Sequence, residues 1–408
     1  MASDVARRLR TLMASALGRR HSDTRAITPA PALVELARSG PAPLSPDRPD
    51  PRAPLSIATV IPSFRRGSGG HGTIVRLLHG LRAQGHEISL WLEDGEGRHA
   101  EEPAAVTKRS FDEFFAAEGL ELHTGFEAWR GADVVLATGW QTVARVLMLP
   151  SAGARAYLVQ DHEPDFYGAS AERLWAVQTY RLGLHCIAAS PWLAELLRTR
   201  YKADATHFDL AVDRKLYRPE ATGRGDEDRE RRRGQDLVVF YARAVTPRRA
   251  VPLGLLALSE LSRRRPDVQI GLYGEDNPLA VPFEHRHLGV LDERRLAELY
   301  SQATVGMVLS LTNPSLIGLE MMACGLPCVE LASESMLATF GADGPLQLAE
   351  PDPLALCAAL ERLLDEPERR NRASEAGFKL MAERTWEHAV GQVEEGLQVA
   401  LTEQQAQV

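Results

Sequence analysis

Ser310-Leu-Thr-Asn-Pro-Ser-Leu-Ile-Gly-Leu-Glu-Met-Met-Ala-Cys-Gly-Leu-Pro-Cys-Val-Glu330 sets a carboxylate, Glu320, inside a short helix with a well-marked start. The apolar run Val305–Leu311 reads as a buried strand leading into Asn313-Pro314, an N-cap followed by proline at the first helical position. Gly325 sits where the helix should stop, and Leu326-Pro327 forbids its continuation. A strand, a tight turn and a helix of this kind belong to a parallel α/β sheet. Free N–H groups of Ser315, Leu316 and Ile317 at the helix start favour an anion. Glu320 lies one turn further on, on the face shared by Leu316 and Ile317. The pattern predicts a site for a nucleoside diphosphate, with phosphate at the helix tip and a sugar hydroxyl on Glu320.

Composition bounds the remainder. The 408 residues suffice for two independent cores, and 44% hydrophobic with 25% charged residues is ordinary for a soluble globular chain. The net charge of −8, from 47 Lys+Arg against 55 Asp+Glu, argues against nucleic acid as a partner. No apolar run reaches membrane-spanning length. Cys186, Cys324, Cys328 and Cys357 show no zinc spacing and read as small buried residues in a reducing cytosol.

Residues 1–54 are unlike the rest of the chain. Val5, Leu9, Leu12, Met13 and Leu17 recur at helical spacing among Arg7, Arg8, Arg10, Arg19 and Arg20. Such a basic amphipathic helix suits peripheral contact with the inner face of an anionic membrane, the body of the protein itself, or a second subunit in a homodimer. Pro41 to Pro54 is proline-rich and reads as a linker.

The first globular unit is expected over 55–215. Ser56–Pro62 reads as a strand, Gly67-Ser-Gly-Gly-His-Gly72 as a glycine-rich turn, Thr73–Gln84 as a helix and Ile88–Leu92 as the next strand: a βαβ unit. Gly69, Gly70 and His71 would let the backbone approach a phosphate. The glycines miss the dinucleotide spacing, so NAD binding ranks second. After the apolar run Arg155–Val159 comes Gln160-Asp-His-Glu-Pro-Asp-Phe-Tyr167, a polar cluster at the carboxyl end of a strand, where such sheets bind ligands. Asp161, His162, Glu163 and Asp165 are candidates for a base, a substrate anchor or metal ligands, with Gln160 and Glu163 beside the substrate.

The charged stretch 216–235 reads as an exposed connection to a second unit over 236–385. That unit opens with the strand Asp236–Tyr241, and Arg243 and Arg248 come directly after it. Two fixed cations can neutralise a bound diphosphate, arginine bidentately. Gly274, and Val290 with Leu291, lie at later strand ends that would face the same cleft.

These motifs resemble those of family 4 glycosyltransferases. Glu320-Met-Met-Ala-Cys-Gly-Leu-Pro-Cys-Val329 is similar to the second half of that family's signature, whereas Thr312 stands where the signature has a first glutamate. Tyr157–Tyr167, Thr179–Gly183, Ser190–Leu193, Phe208–Asp213 and Phe240–Arg243 look like WsaF-type bacterial rhamnosyltransferases. The resemblance spans roughly residues 55–400. It implies a GT-B fold, two doubly wound Rossmann-like units facing across a cleft, with residues 386–408 crossing back to the first. It also implies a metal-independent cytoplasmic enzyme without a cofactor, taking dTDP-rhamnose as donor and a cell-surface glycan as acceptor, with retention. Glu320 would then hold the ribose. Arg243, Arg248 and the Gly69–Gly72 segment would hold the diphosphate, and the backbone at Val290 and Leu291 would meet the base. A different donor such as GDP-mannose or a UDP-sugar, an epimerase and a non-catalytic glycan-binding protein are the alternatives.

Overall fold

The computed structural model describes residues 31–47, 49–219 and 235–406. The basic helix read over residues 1–20, and 220–234 of the charged connection, lie outside the described residues. The first sheet has seven parallel strands: β1 Ser56–Pro62, β2 Glu87–Glu93, β3 Glu121–His123, β4 Ala132–Ala137, β5 Ala152–Val159, β6 His185–Ala188 and β7 Ala205–His207. Their order is β3-β2-β1-β4-β5-β6-β7. The second has six: β8 Leu237–Tyr241, β9 Gln269–Tyr273, β10 Arg286–Gly289, β11 Val305–Met307, β12 Cys328–Leu331 and β13 Leu346–Ala349, ordered β10-β9-β8-β11-β12-β13. All of its pairings are parallel as well.

Both faces of each sheet are covered by helices, which is why the strands read as continuous apolar runs rather than alternating ones. In β5 every residue is buried. Strand order reverses between β1 and β4 in one unit and between β8 and β11 in the other. Ligands of doubly wound sheets bind at such reversals, outside the carboxyl ends of the strands. The fold therefore points to the loops after β1, β8 and β11, and to the polar loop after β5.

The last helix, Trp386–Gln405, leaves the second unit and packs on the first. Val390, Val393, Leu397 and Leu401 enter the core shared with Leu77, Leu78 and Leu81 of the Gly69–Ala83 helix. The helices touch at Gly80, where a Cβ would lie 2.3 Å from Val390 Cγ2. Polar ties frame the seam: His86 Nε2 is 3.2 Å from Glu394 and His185 Nδ1 3.0 Å from Glu403. The Gln404 amide pairs with the Arg155 backbone at 2.9 and 2.7 Å.

Three local expectations are corrected. The glycine segment is the first turn of a helix rather than a turn before one, because that helix begins at Gly69 instead of Thr73. The proline-rich segment is docked at three described residues rather than free: Ala42 and Ser45 donate N–H bonds to Leu147 and Ala152, and Pro49 accepts from Gln405. The helix of the opening stretch runs Leu316–Ala323 with Ser315 as its N-cap, so Asn313 and Pro314 precede it. Asn313 is free for another task because Ser315 supplies the cap.

Candidate functional site

The loop after β1 carries Gly67 at φ +77°, a left-handed turn that glycine adopts without strain. The N-cap of the next helix, Ser68, gives no side-chain bond to that helix's N–H groups, since its hydroxyl lies 2.8 Å from His71 Nδ1 instead. The first N–H groups of a fifteen-residue helix therefore remain available, with the positive end of its dipole. From the opposite unit Arg243 places Nη1 3.4 Å from the Gly67 carbonyl. Gln160 Nε2 donates to Gly70 O at 3.2 Å and closes a third side. Gly69 and Gly70 are thus at the helix tip. His71 is corrected: its ring turns inward, 8% exposed, stacked on Phe115 with Nε2 3.3 Å from Pro62 O. Burial pushes its pKa down to about 4, so the imidazole is a neutral core group rather than a donor ligand.

Arg248 lies after β8, and the opposite unit surrounds its guanidinium. Nε is 3.4 Å from Asp161 Oδ2, and the Phe166 ring centroid is 4.4 Å from Cζ. Burial draws the group below its ordinary pKa, and Asp161 opposes that. Asp161 itself accepts from the Thr312 hydroxyl at 3.0 Å and the Asn313 N–H at 2.9 Å. The Asn313 amide donates to Ala189 O at 2.7 Å and Gln160 O at 3.2 Å, and accepts from Ser190 Oγ at 2.8 Å. Sequence reading assigned Asn313 to capping and gave Thr312 no partner. An asparagine before a proline signals a cap, and no local pattern reveals a contact 150 residues away.

Two members of the polar cluster are corrected. His162 is 1% exposed, with Nδ1 2.6 Å from Asp165 and Nε2 2.6 Å from the Tyr201 hydroxyl. Both ring nitrogens are engaged inside the first unit, so it does not reach an acceptor. Glu163 is also buried and accepts the Trp140 N–H at 2.7 Å, at the start of the Trp140–Met148 helix. Burial lifts it to about 7, against the opposing bond from Trp140. It holds a helix start rather than an acceptor. The loop buries His162, Glu163 and Pro164 together, while Asp161 and Phe166 on either side of them reach the cleft.

On the second unit, Glu320 is half-buried and its Oε2 is sealed from solvent without a hydrogen-bond partner. Burial, aided by the charge of Glu293, raises its pKa to about 8. Glu293 pairs at 2.8 Å with Arg76, two turns along the Gly69–Ala83 helix from its tip. One helix thus borders the arginines at its start and the Glu320 neighbourhood further on. Val290 is exposed and Leu291 half-buried in the loop after β10. Gly274, at φ +102°, bonds its N–H to Gly289 O at 2.9 Å, and a Cβ there would stand 2.7 Å from the Tyr241 ring. Leu316 and Ile317 are half-buried at the helix start, where Ser315 Oγ takes the Ile317 N–H at 3.3 Å. That shorter tip has one free donor fewer than the sequence suggested. Glu330, 2% exposed, accepts from Ser310 and Leu331 N–H, and burial raises it to about 8.

Two doubly wound parallel units that meet at their strand-order reversals define a protein of GT-B fold. Residues 236–361, in the second unit, match the family described as WsaF, C-terminal domain. The chain is 34% identical over 272 residues to the O-antigen biosynthesis protein RfbC of Myxococcus xanthus. That covers 65% of this chain and 20% of RfbC, so the chain spans about a fifth of that relative. Among solved structures, it is similar to sucrose-phosphate synthase from Thermosynechococcus elongatus: TM-score 0.60, 19% identity, 83% of this chain and 98% of that one. Anabaena HepE in complex with UDP-glucose gives a TM-score of 0.61 at 12% identity, over 87% of this chain and all 100% of HepE. WaaG, a glycosyltransferase involved in lipopolysaccharide biosynthesis, gives 0.57 at 12%, over 84% and 99%.

Proposed function

We propose that this protein is a glycosyltransferase that moves a hexosyl group from a nucleotide-sugar donor to a glycan of the cell surface. The observation that carries the reading is the convergence of Arg243 with the uncapped Gly69–Ala83 helix start, through Gly67, across the cleft. Opposed positive ends of this kind suit a diphosphate, which a leaving nucleotide becomes. Asp161, aligned by Thr312, restores a carboxylate beside the position where family 4 signatures carry one.

In this mechanism Glu320 accepts the ribose hydroxyls through its unpartnered oxygen, and the backbone at Val290 and Leu291 meets the base. Arg243 and Arg248 bind the diphosphate oxygens and stabilise the charge that grows as the glycosidic bond breaks. The acceptor hydroxyl attacks from the face the leaving group vacates, and its proton passes to the departing phosphate oxygen, so configuration is retained. The arginine pair and helix tip supply the positive charge, so the reaction proceeds without a metal or cofactor. Asp161 steadies positive charge on the sugar.

Two relatives support the class of substrate: RfbC by its place in O-antigen biosynthesis, and HepE by its complex with UDP-glucose. Rhamnose from dTDP-rhamnose is the favoured donor, on the match to WsaF. The test is a melting-temperature screen of dTDP-rhamnose, GDP-mannose and UDP-glucose, with acceptor-dependent release of nucleotide. A donor that both stabilises and is consumed supports the proposal. Stabilisation by none of the three overturns it, and binding of glycan without consumption favours a glycan-binding protein.

A further inference from the structure

The contacts that the second unit makes with Asp161 form a built site of their own. Thr312 and Asn313, 3% and 2% exposed, give the Asp161 carboxylate one donor for each oxygen: the Thr312 hydroxyl to Oδ2 and the Asn313 N–H to Oδ1. Two donors from one rigid loop fix the plane of a carboxylate. The loop is itself fixed, because the Asn313 amide bonds to Gln160, Ala189 and Ser190, and the Thr312 carbonyl accepts from the buried Ser335 hydroxyl. Its attachments to the first unit lie just beyond β5 and β6.

What this carboxylate faces is the Nε edge of Arg248, at 3.4 Å, while Phe166 covers one face of the guanidinium. Nε is thus sealed beside the carboxylate at ion-pair distance without a hydrogen bond, the ring face is covered, and among the described residues neither Nη atom has a hydrogen-bond partner. The free edge is the fork that binds a phosphate bidentately.

We propose that Thr312 and Asn313 are positioning residues: they hold Asp161 from across the cleft, and Asp161 in turn orients the Arg248 fork toward the leaving group. The inference rests on the glycosyltransferase reading of Arg248. It explains why a hydroxyl occupies position 312, since a carboxylate there would meet Asp161 and repel it. Thr312 itself does not touch the sugar; it acts through Asp161, and through Asp161 on Arg248.

The test measures release of dTDP from dTDP-L-rhamnose, and of UDP from UDP-glucose, by the full chain. Thr312→Val is expected to lower kcat about tenfold, as for a lost hydrogen bond to a charged group, with KM for the donor changed less. Thr312→Ser should restore kcat to within about twofold, and Thr312→Glu should fall below Thr312→Val. In an Arg248→Ala background, Thr312→Val should cost clearly less than in the parent, the remainder reflecting Asp161 beside the sugar. An unchanged kcat in Thr312→Val, or an equal loss in both backgrounds, overturns the proposal. Thermal unfolding of Thr312→Val, Asp161→Asn and the double variant provides an arm independent of turnover. Non-additive shifts support the clamp, and strictly additive ones overturn it. If neither donor is consumed by the unaltered protein, the glycosyltransferase reading falls, while the clamp is still decided by the unfolding cycle.

Discussion

Arg243 of the second unit directs Nη1 at the Gly67 carbonyl of the first, 3.4 Å away. The bond crosses the cleft between a loop after β1 and a loop after β8, the two strands beside which the sheets reverse order. It is long for a hydrogen bond and carries a charge, so an anion arriving between the two loops can take over the guanidinium at little cost. Gly67 needs its left-handed conformation for the loop to approach this closely.

Removing that guanidinium should therefore act on the chemical step. Arg243→Ala is expected to slow transfer by about 10²–10³-fold, the usual loss when one stabilising donor leaves a transition state. Arg243→Lys should recover part of it, because charge persists and the fork does not. Steady-state kinetics on the best donor of the screen decides; unchanged turnover in Arg243→Ala removes this arginine from the mechanism.

Asn313 offers a test of how firmly the units are docked. Asn313→Ala strips three bonds and leaves the Ala189 carbonyl, 2.7 Å from the lost amide, and the Ser190 hydroxyl without that partner in a buried seam. A loss of about 2–4 kcal/mol is expected for a buried network broken in this way. Urea unfolding measures it, and the weakened seam should also split the transition into two. A variant as stable as the parent would show that the seam does not hold the units together.

At the other seam the fault line is steric. Gly80→Ala gains helix propensity worth about 1 kcal/mol, yet the new methyl would sit 2.3 Å from Val390 Cγ2. Overpacking of a tight core costs about 1–3 kcal/mol, so the variant should be destabilised on balance. Val390→Ala in the same chain makes room and should return part of the loss. Melting temperatures of the single and double variants settle the order; a stabilised Gly80→Ala would mean that the Trp386–Gln405 helix yields.

The sequence was legible where the signal is local and repetitive. Strands such as Ser56–Pro62 and Gln269–Tyr273 stand out as apolar runs between turn residues, and their spacing implies parallel sheets. Arg243 and Arg248 come soon after a strand and sit in the cleft. Illegible were the side chains whose role depends on distant backbone. His71 and His162 look like ligands in a polar stretch and prove to be packed inside, His71 on the buried face of the Gly69–Ala83 helix and His162 between Asp165 and Tyr201. Thr312 stood out only as a departure from a pattern, and its partner Asp161 lies 151 residues away. Short strands such as Glu121–His123 have no periodicity to detect.

Glu320 links stability and function through its proton. Glu163, Glu320 and Glu330 stand at about 7, 8 and 8 in the folded protein, against 4.5 for an unburied glutamate. The folded chain thus holds protons that the unfolded chain has released, and stability falls as pH rises from about 4.5 to about 8. His71 works the other way: at about 4 against 6.5, it makes stability rise with pH, but only inside that lower window. Above pH 6.5 the three carboxylates act alone, so the melting temperature of the ligand-free protein should fall between pH 6.5 and 8. Glu320→Gln keeps the shape and removes one of the three protons. It should flatten the fall and leave the ligand-free variant more stable than the parent at pH 8. The same change should weaken UDP binding, because an amide is a poorer acceptor for ribose hydroxyls than an ionised carboxylate. Between pH 7.5 and 9 UDP affinity should rise with pH in the parent and stay level in the variant. Melting curves and isothermal titration with UDP across this range read both effects. Equal UDP affinity in the two proteins would separate Glu320 from the nucleotide and leave it a buried carboxylate with no ligand role.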